Sequence, residues 1–483
     1  MNLEQWCQID ERIYIADSDE RYKQYAGLGH SENTIEKLAG LKSQNAKLFL
    51  ESFTEPRELY LSALENIADS STKKLELKLY KTRNQKVVTA KHKMGSSPVN
   101  WSTWRQFNNV QKDDSKRKQV FDEFITKTRY ISPIIKKRFD EISLAYGIYS
   151  KKKINPLEGY LENEKISYSQ MIKFVKSLGQ QAKKPFREAL QTVSQKVLGR
   201  EADYYDDFYF FRNRVYADFG KEFAKINPPD QVRRTLEVLN FEQSSIRIDT
   251  ENRKEKYPSP ICFFVHVPTD IRVLYKSESP YFDLQGCYHE MGHAIHASSI
   301  DPNMEYWNRY GFSMGIAEIF SIFLERLTKN SRYLSSIGIR DKRRLEELEM
   351  RNNFMELFFV TFYAANSLMK AEFWRKRLSM EKASDLYSKL IKEYTGFEVP
   401  GEYWMLHHIL PDAIMYVPSY LLAAVRAAEL DRHLQDRFGE DWWDQPESGR
   451  RVREIMAPGA KIDLEGFSKM DSSLFMKEIN AAI

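Results

Sequence analysis

From Asp341 to Leu378 the chain reads DKRRLEELEMRNNFMELFFVTFYAANSLMKAEFWRKRL, without a single Gly or Pro. Apolar residues recur there at three- and four-residue spacing, and the middle of the stretch is apolar and bulky. That pattern predicts a long helix buried on several sides. Most of the sequence is similarly poor in Gly and Pro, with no internal repeat of fixed period and no low-complexity segment. The expected fold class is therefore mainly α.

With 483 residues, 42% hydrophobic and 13% aromatic, the chain can supply a substantial core, which excludes wholesale disorder. The balance of 73 basic and 68 acidic residues, net +5, leaves no electrostatic footprint for nucleic acid. Three cysteines, Cys7, Cys262 and Cys287, make no disulfide framework and suit a reducing compartment. The opening segment MNLEQWCQIDERIYIADSDERY carries acidic residues and no apolar run, so no secretory signal is expected. No run approaches 18 apolar residues, so no membrane helix is expected either, and the expected location is the cytoplasm.

Two regions interrupt the helical pattern. Lys74 to Lys93 alternates apolar and charged residues on either side of Arg83-Asn84-Gln85, which suits either a hairpin or an exposed helix with a solvated basic face. The runs 245–249, 261–267 and 271–277 are rich in β-branched and aromatic residues and separated by Pro-containing turns. They predict a small antiparallel sheet directly ahead of the segment that carries the chemistry. A boundary near residue 245 would divide a helical half, 1–244, from a sheet-plus-helix half, 245–483.

Within DLQGCYHEMGHAIHASS (283–299) lie His289, Glu290 and His293. Residues four apart on a helix differ by about 40° in direction and about 6 Å in height, so both imidazoles can reach one Zn²⁺. Leu284, Cys287, Met291, Ala294 and Ser298 form a separate stripe that can bury against the body, which makes Cys287 a packing residue and not a ligand. Zinc takes a third protein ligand and keeps a position open for water. Glu318, 25 residues after His293 on the predicted helix MGIAEIFSIFLERLT, is the candidate. Ser321 and Glu325 on that helix are candidates to orient an imidazole. Glu290, beside the first ligand, is placed to take a proton from a metal-activated water and hand it to the leaving amine. One zinc per chain is expected. His296, two turns beyond His289, is too distant to share the metal and is either packed or turned toward substrate.

The run from His289 to His296, HEMGHAIH, resembles the zinc element of the thimet oligopeptidase and oligoendopeptidase F family of metallopeptidases. EIFSIFLE (318–325) is similar to that family's third-ligand helix, with Phe320 where a proline is usual. Ile246 to Val267 resembles the strand region ahead of the zinc helix, and Tyr394 to Ala423 resembles a C-terminal His- and Tyr-bearing element. In that element His408 and Tyr420 are twelve residues apart, while PDAIMYVPS replaces the family's Gly-Tyr-rich loop. The resemblance implies a zincin-type catalytic half and a deep substrate cleft between helical halves. It also implies Tyr420, with His408, as oxyanion donors (Tyr416 being the alternative tyrosine, and His407 the less favoured of the two histidines). Oligopeptides, cut internally, are the implied substrates. Angiotensin-converting-type dipeptidyl carboxypeptidases share HEMGH and mark a rival specificity, and a non-catalytic peptide-binding protein on the same fold is a further alternative.

Overall fold

A computed structural model describes all residues except 152, 258, 278, 408, 463–470 and 481–483. The chain is mainly helical, as its scarcity of helix breakers requires. The Gly- and Pro-free stretch forms one helix, Lys342–Lys376, and Phe354, Leu357, Val360, Ala364, Ala365 and Met369 along it are fully buried. Helix ends fall where capping chemistry permits. Asn2 and Ser167 cap Leu3–Ala26 and Tyr168–Leu198 in reciprocal capping boxes, and Gly27 and Gly199 end them in the left-handed conformation.

The expected choice between hairpin and helix at Lys74–Lys93 resolves into both, displaced. The helix Arg57–Lys86 runs through Arg83-Asn84-Gln85, and the hairpin follows it as β1 (Val88–Met94) and β2 (Ser97–Asn100). Arg83 is no solvated charge. It is buried, donates from Nη1 and Nη2 to the Asp412 carboxylate at 3.1 and 3.3 Å, and lies over the Trp101 ring.

The second sheet contains β3 (Ile246–Asp249), β4 (Ile261–His266) and β5 (Asp270–Leu274) in the order β3-β5-β4. β4 and β5 pair antiparallel, as expected, but β3 pairs parallel to β5, so the sheet is mixed. A parallel neighbour needs the chain to return between the two strands: the segment after β3 crosses over to β4, which runs back antiparallel to β5. Lys256 anchors that crossover by donating to the Asp249 carbonyl (2.7 Å), the Asp249 carboxylate (3.0 Å) and the Glu251 carbonyl (2.9 Å).

The chain forms two compact units, neither continuous in sequence. One comprises Met1–Ser70, Phe219–Glu349 and Leu422–Phe475; the other comprises Ser71–Asp218, Met350–Leu421 and Met476–Ile483. Residue 245 falls inside the first unit, so the expected boundary does not mark a division between compact bodies. The cause is the N-terminal helix, which returns to the sheet. Tyr22 donates to Asp249 (3.2 Å), Arg272 pairs with Asp19 (2.7 Å), and Arg253 donates to the Ala26 carbonyl (2.6 Å). In the second unit, Trp104 packs edge-to-face against Phe121 and Phe208 and tilted against Phe124 in a separate aromatic core.

Candidate metal centre

Two helices of the first unit build the site. Pro280–Ser299 begins with Pro280, whose fixed φ and missing N–H suit a first turn, and it buries Leu284, Cys287, Met291 and Ala294 completely. Met314–Arg326 follows its cap, Ser313. The helices meet at Gly292, where any Cβ would run into the Phe320 carbonyl oxygen and stand 2.6 Å from Ser321 Cα. Tyr281 reinforces the contact by donating to the Thr328 carbonyl at 3.2 Å. Only a residue without a side chain allows this approach, which brings Glu318 to the two histidines.

One ligand atom each from His289, His293 and Glu318 lies within 4.8 Å of the others. Glu318 Oε2 stands 3.4 Å from His289 Nε2 and 3.6 Å from His293 Nε2. A tetrahedral ion with bonds of about 2.1 Å spaces its ligand atoms about 3.4 Å apart. The two carboxylate–imidazole distances match that spacing, and all three donors are of a type that zinc takes. Cys287 is fully buried and takes no part, in line with its place on the packing stripe.

The surroundings fix the donors. Glu325 Oε2 lies 3.0 Å from His289 Nδ1, which turns Nε2 toward Glu318, and Lys329 holds the other Glu325 oxygen at 2.7 Å. Ser321 donates to Glu318 Oε2 at 2.9 Å, so it orients the carboxylate ligand and not an imidazole.

The electrostatics favour a cation. Burial opposes charge on His289, but the Glu325 hydrogen bond and the carboxylates of Glu318 and Glu290 outweigh it and hold the imidazole up to about 9. Burial also works to raise the Glu325 carboxyl, yet Lys329 and His289 keep it down at about 2. His293 is lowered from its ordinary value, chiefly by burial. Glu290 is half-buried on the same helix, and its charge adds to burial in pushing up the Cys262 thiol on β4. Phe264 of β4 lies with its ring 6.3 Å from that of His293.

His296 is packed. Its ring is fully buried between Phe312 (5.0 Å) and Phe320 (4.5 Å), neither ring nitrogen has a hydrogen-bond partner among the described residues, and burial pushes it down to about 3. Phe320, the residue that departs from the usual proline, thus has a packing role.

The C-terminal candidates belong to the second unit. His408 lies outside the described residues. His407 accepts from Ile409 N at 3.2 Å, its ring sits 5.5 Å from Phe362, and burial pushes it down to about 3. Tyr420 lies in the first turn of Val417–Phe438, just after Pro418, with its ring 4.9 Å from Tyr416 and 5.4 Å from Tyr363. Sequence reasoning missed three contributors: Gly292 as the point of helix contact, Lys329 as the partner of Glu325, and Tyr363 beside Tyr420. Of these only Gly292 carried a signal. A glycine inside a helix costs about 1 kcal/mol relative to Ala, so its presence between two ligands asks for a packing reason.

No family model matches the sequence, and no curated protein does. Solved structures do match in fold. An M32 carboxypeptidase from Deinococcus radiodurans R1 superposes with a TM-score of 0.66 at 14% identity, over 99% of this chain and 98% of that one. PZ peptidase A, determined with an inhibitor, gives 0.62 at 14% identity over 100% and 96%. An oligoendopeptidase F from Bacillus anthracis str. Ames gives 0.56 at 14% identity over 96% and 80%. The chain thus has the mainly helical fold of these peptidases.

Proposed function

We propose that the protein is a zinc-dependent peptidase that hydrolyses internal bonds of short oligopeptides. The observation that carries this reading is the convergence of His289 Nε2 and His293 Nε2 on Glu318 Oε2, at 3.4 and 3.6 Å, with Glu290 on the same helix as the histidines. Bound there, zinc supplies Lewis-acid activation of water and of the scissile carbonyl. Glu290 accepts the proton of the attacking water and passes it to the leaving amine. Glu325 and Lys329 hold His289 in one orientation, and Ser321 does the same for Glu318. Tyr420, with His408, donates to the oxyanion of the tetrahedral intermediate. In this reading an enclosed cleft admits oligopeptides and spares folded proteins. The three cysteines are free, which accords with action in a reducing, cytoplasmic compartment. Among the described residues, no helix is long and apolar enough to cross a membrane.

A second specificity has its own support. The M32 carboxypeptidase matches this chain nearly end to end, whereas the oligoendopeptidase is covered over 80% of its length. On that reading the same zinc chemistry removes residues from a free C-terminus. Digestion of a peptide mixture with free and with amidated C-termini decides between the two. Internal cleavage of amidated peptides supports the endopeptidase, and cleavage confined to free C-termini supports the carboxypeptidase. No cleavage by zinc-loaded protein would sink both.

A further inference from the structure

The long helix Lys342–Lys376 carries a lysine where a charge is costly. Lys370 is 1% exposed, and among the described residues its ammonium bonds only to two backbone carbonyls, Leu410 (2.9 Å) and Ala413 (2.8 Å). The ring of Phe139 lies 4.6 Å from Nζ, and that of Trp374 lies 5.6 Å from it. Burial lowers the lysine to about 7. A leucine or methionine would fill this space more cheaply, so the two carbonyls are what the amine is there to hold.

Those carbonyls belong to the segment that leads into Tyr420, and further carbonyls of it are held by side chains in the same way. Trp374 Nε1 donates to the Ile414 carbonyl (2.9 Å), Arg138 to the Pro411 carbonyl (3.1 Å) and Trp101 to the Leu406 carbonyl (3.2 Å), while Arg83 holds the Asp412 carboxylate. Tyr363, Lys370 and Trp374 are seven and four residues apart, which puts them within about 40° of one another on a single helix face. That one face touches the Tyr420 ring at one level and holds the loop carbonyls at the next.

We infer that Lys370 is a positioning residue: with Trp374 it fixes the 409–414 loop so that Tyr420 is presented to the substrate already in place. This rests on the proposed role of Tyr420 in the peptidase. A chain of side-chain clamps holds this segment, in keeping with PDAIMYVPS, which lacks glycine.

The test is a double-mutant cycle on the zinc-loaded protein. Lys370→Met keeps the bulk and removes the donors, and Trp374→Phe removes a single donor as an independent check. Lys370→Met should lower kcat by about 10²-fold, the order expected for misplacing a reacting group by about 1 Å, with KM and zinc content unchanged. Trp374→Phe should show a smaller loss of the same kind. In a Tyr420→Phe background Lys370→Met should cost little more, because both act on one bond. Amide hydrogen exchange at 409–416 should quicken in Lys370→Met. Wild-type kcat in both single variants, or full additivity with Tyr420→Phe, overturns the inference. A zinc content that falls, or a KM that rises, together with the loss of kcat does so as well, by showing a merely structural role. If Tyr420→Phe is silent while Lys370→Met is impaired, the oxyanion role of Tyr420 fails and the positioning of the loop stands. If Tyr420→Phe is impaired and Lys370→Met is silent, the positioning inference alone fails.

Discussion

Gly292 lies directly against the backbone of Phe320 and Ser321, so that a Cβ at 292 would overlap the Phe320 carbonyl oxygen. This contact sets the distance between the helix bearing His289 and His293 and the helix bearing Glu318. Gly292→Ala must push the helices apart even though alanine is the better helix former. We expect the variant to fold, as judged by circular dichroism, yet to bind zinc at least ~10-fold more weakly, since ligands displaced from tetrahedral spacing lose bond energy. Wild-type zinc affinity in Gly292→Ala would mean that the helix contact does not define the site.

The Glu325–His289 hydrogen bond makes a second prediction. Glu325→Ala frees the ring of His289 to rotate and removes a carboxylate that favours positive charge. Zinc affinity should fall by about 10–100-fold, the usual loss when such a partner is removed. Lys329→Met should give a smaller change of the same sign. Competition with a chromophoric chelator measures both.

Glu290 should be needed for turnover and not for the metal. Glu290→Gln preserves shape and the zinc ligands, so zinc content should stay at the wild-type level while kcat falls at least ~10²-fold. Near-normal hydrolysis by this variant would remove Glu290 from the mechanism.

The grouping of His289, His293 and Glu318 was legible because its parts are local. His289 and His293 are one helical turn apart, and the Glu318 helix follows closely with an unmistakable apolar pattern. Cys287 and the packing stripe followed from the same periodicity. Contacts between distant segments were not legible. Arg83 looked like a solvated charge, because its partner Asp412 is 329 residues away. The parallel pairing of β3 depends on the crossover at 250–260, whose lysine anchor has no sequence signature. The return of the N-terminal helix to the sheet, which placed residue 245 inside a compact unit, rests on ion pairs such as Arg272–Asp19 that only the fold assembles. Lys370 was hidden for the same reason, since a lysine in an apolar helix reads as an exposed position until its carbonyl partners are seen.

Lys370 also sets a pH dependence. Its folded-state value of about 7 lies below the ordinary 10.5. Between the two, the unfolded chain binds a proton that the folded chain does not, so stability contributed at this site rises with pH. Below about 7 the full cost of the buried charge is present; above it the cost is relieved at about 1.4 kcal/mol per pH unit. Urea unfolding of wild type and Lys370→Met at pH 6.5 and pH 8.5 isolates the effect, because other groups cancel in the comparison. Wild type should gain on the variant by about 2 kcal/mol at the higher pH, and an unchanged difference would contradict the shift.

The most direct measurement is the zinc content of purified wild type and of Glu318→Ala, determined by atomic emission after dialysis against metal-free buffer. His289, His293 and Glu318 acting as the three ligands require about one zinc per chain in wild type and its loss in Glu318→Ala, with peptide hydrolysis lost alongside. Stoichiometric zinc retained by Glu318→Ala, or peptide hydrolysis by wild type stripped of metal, would contradict a zinc peptidase built on these residues.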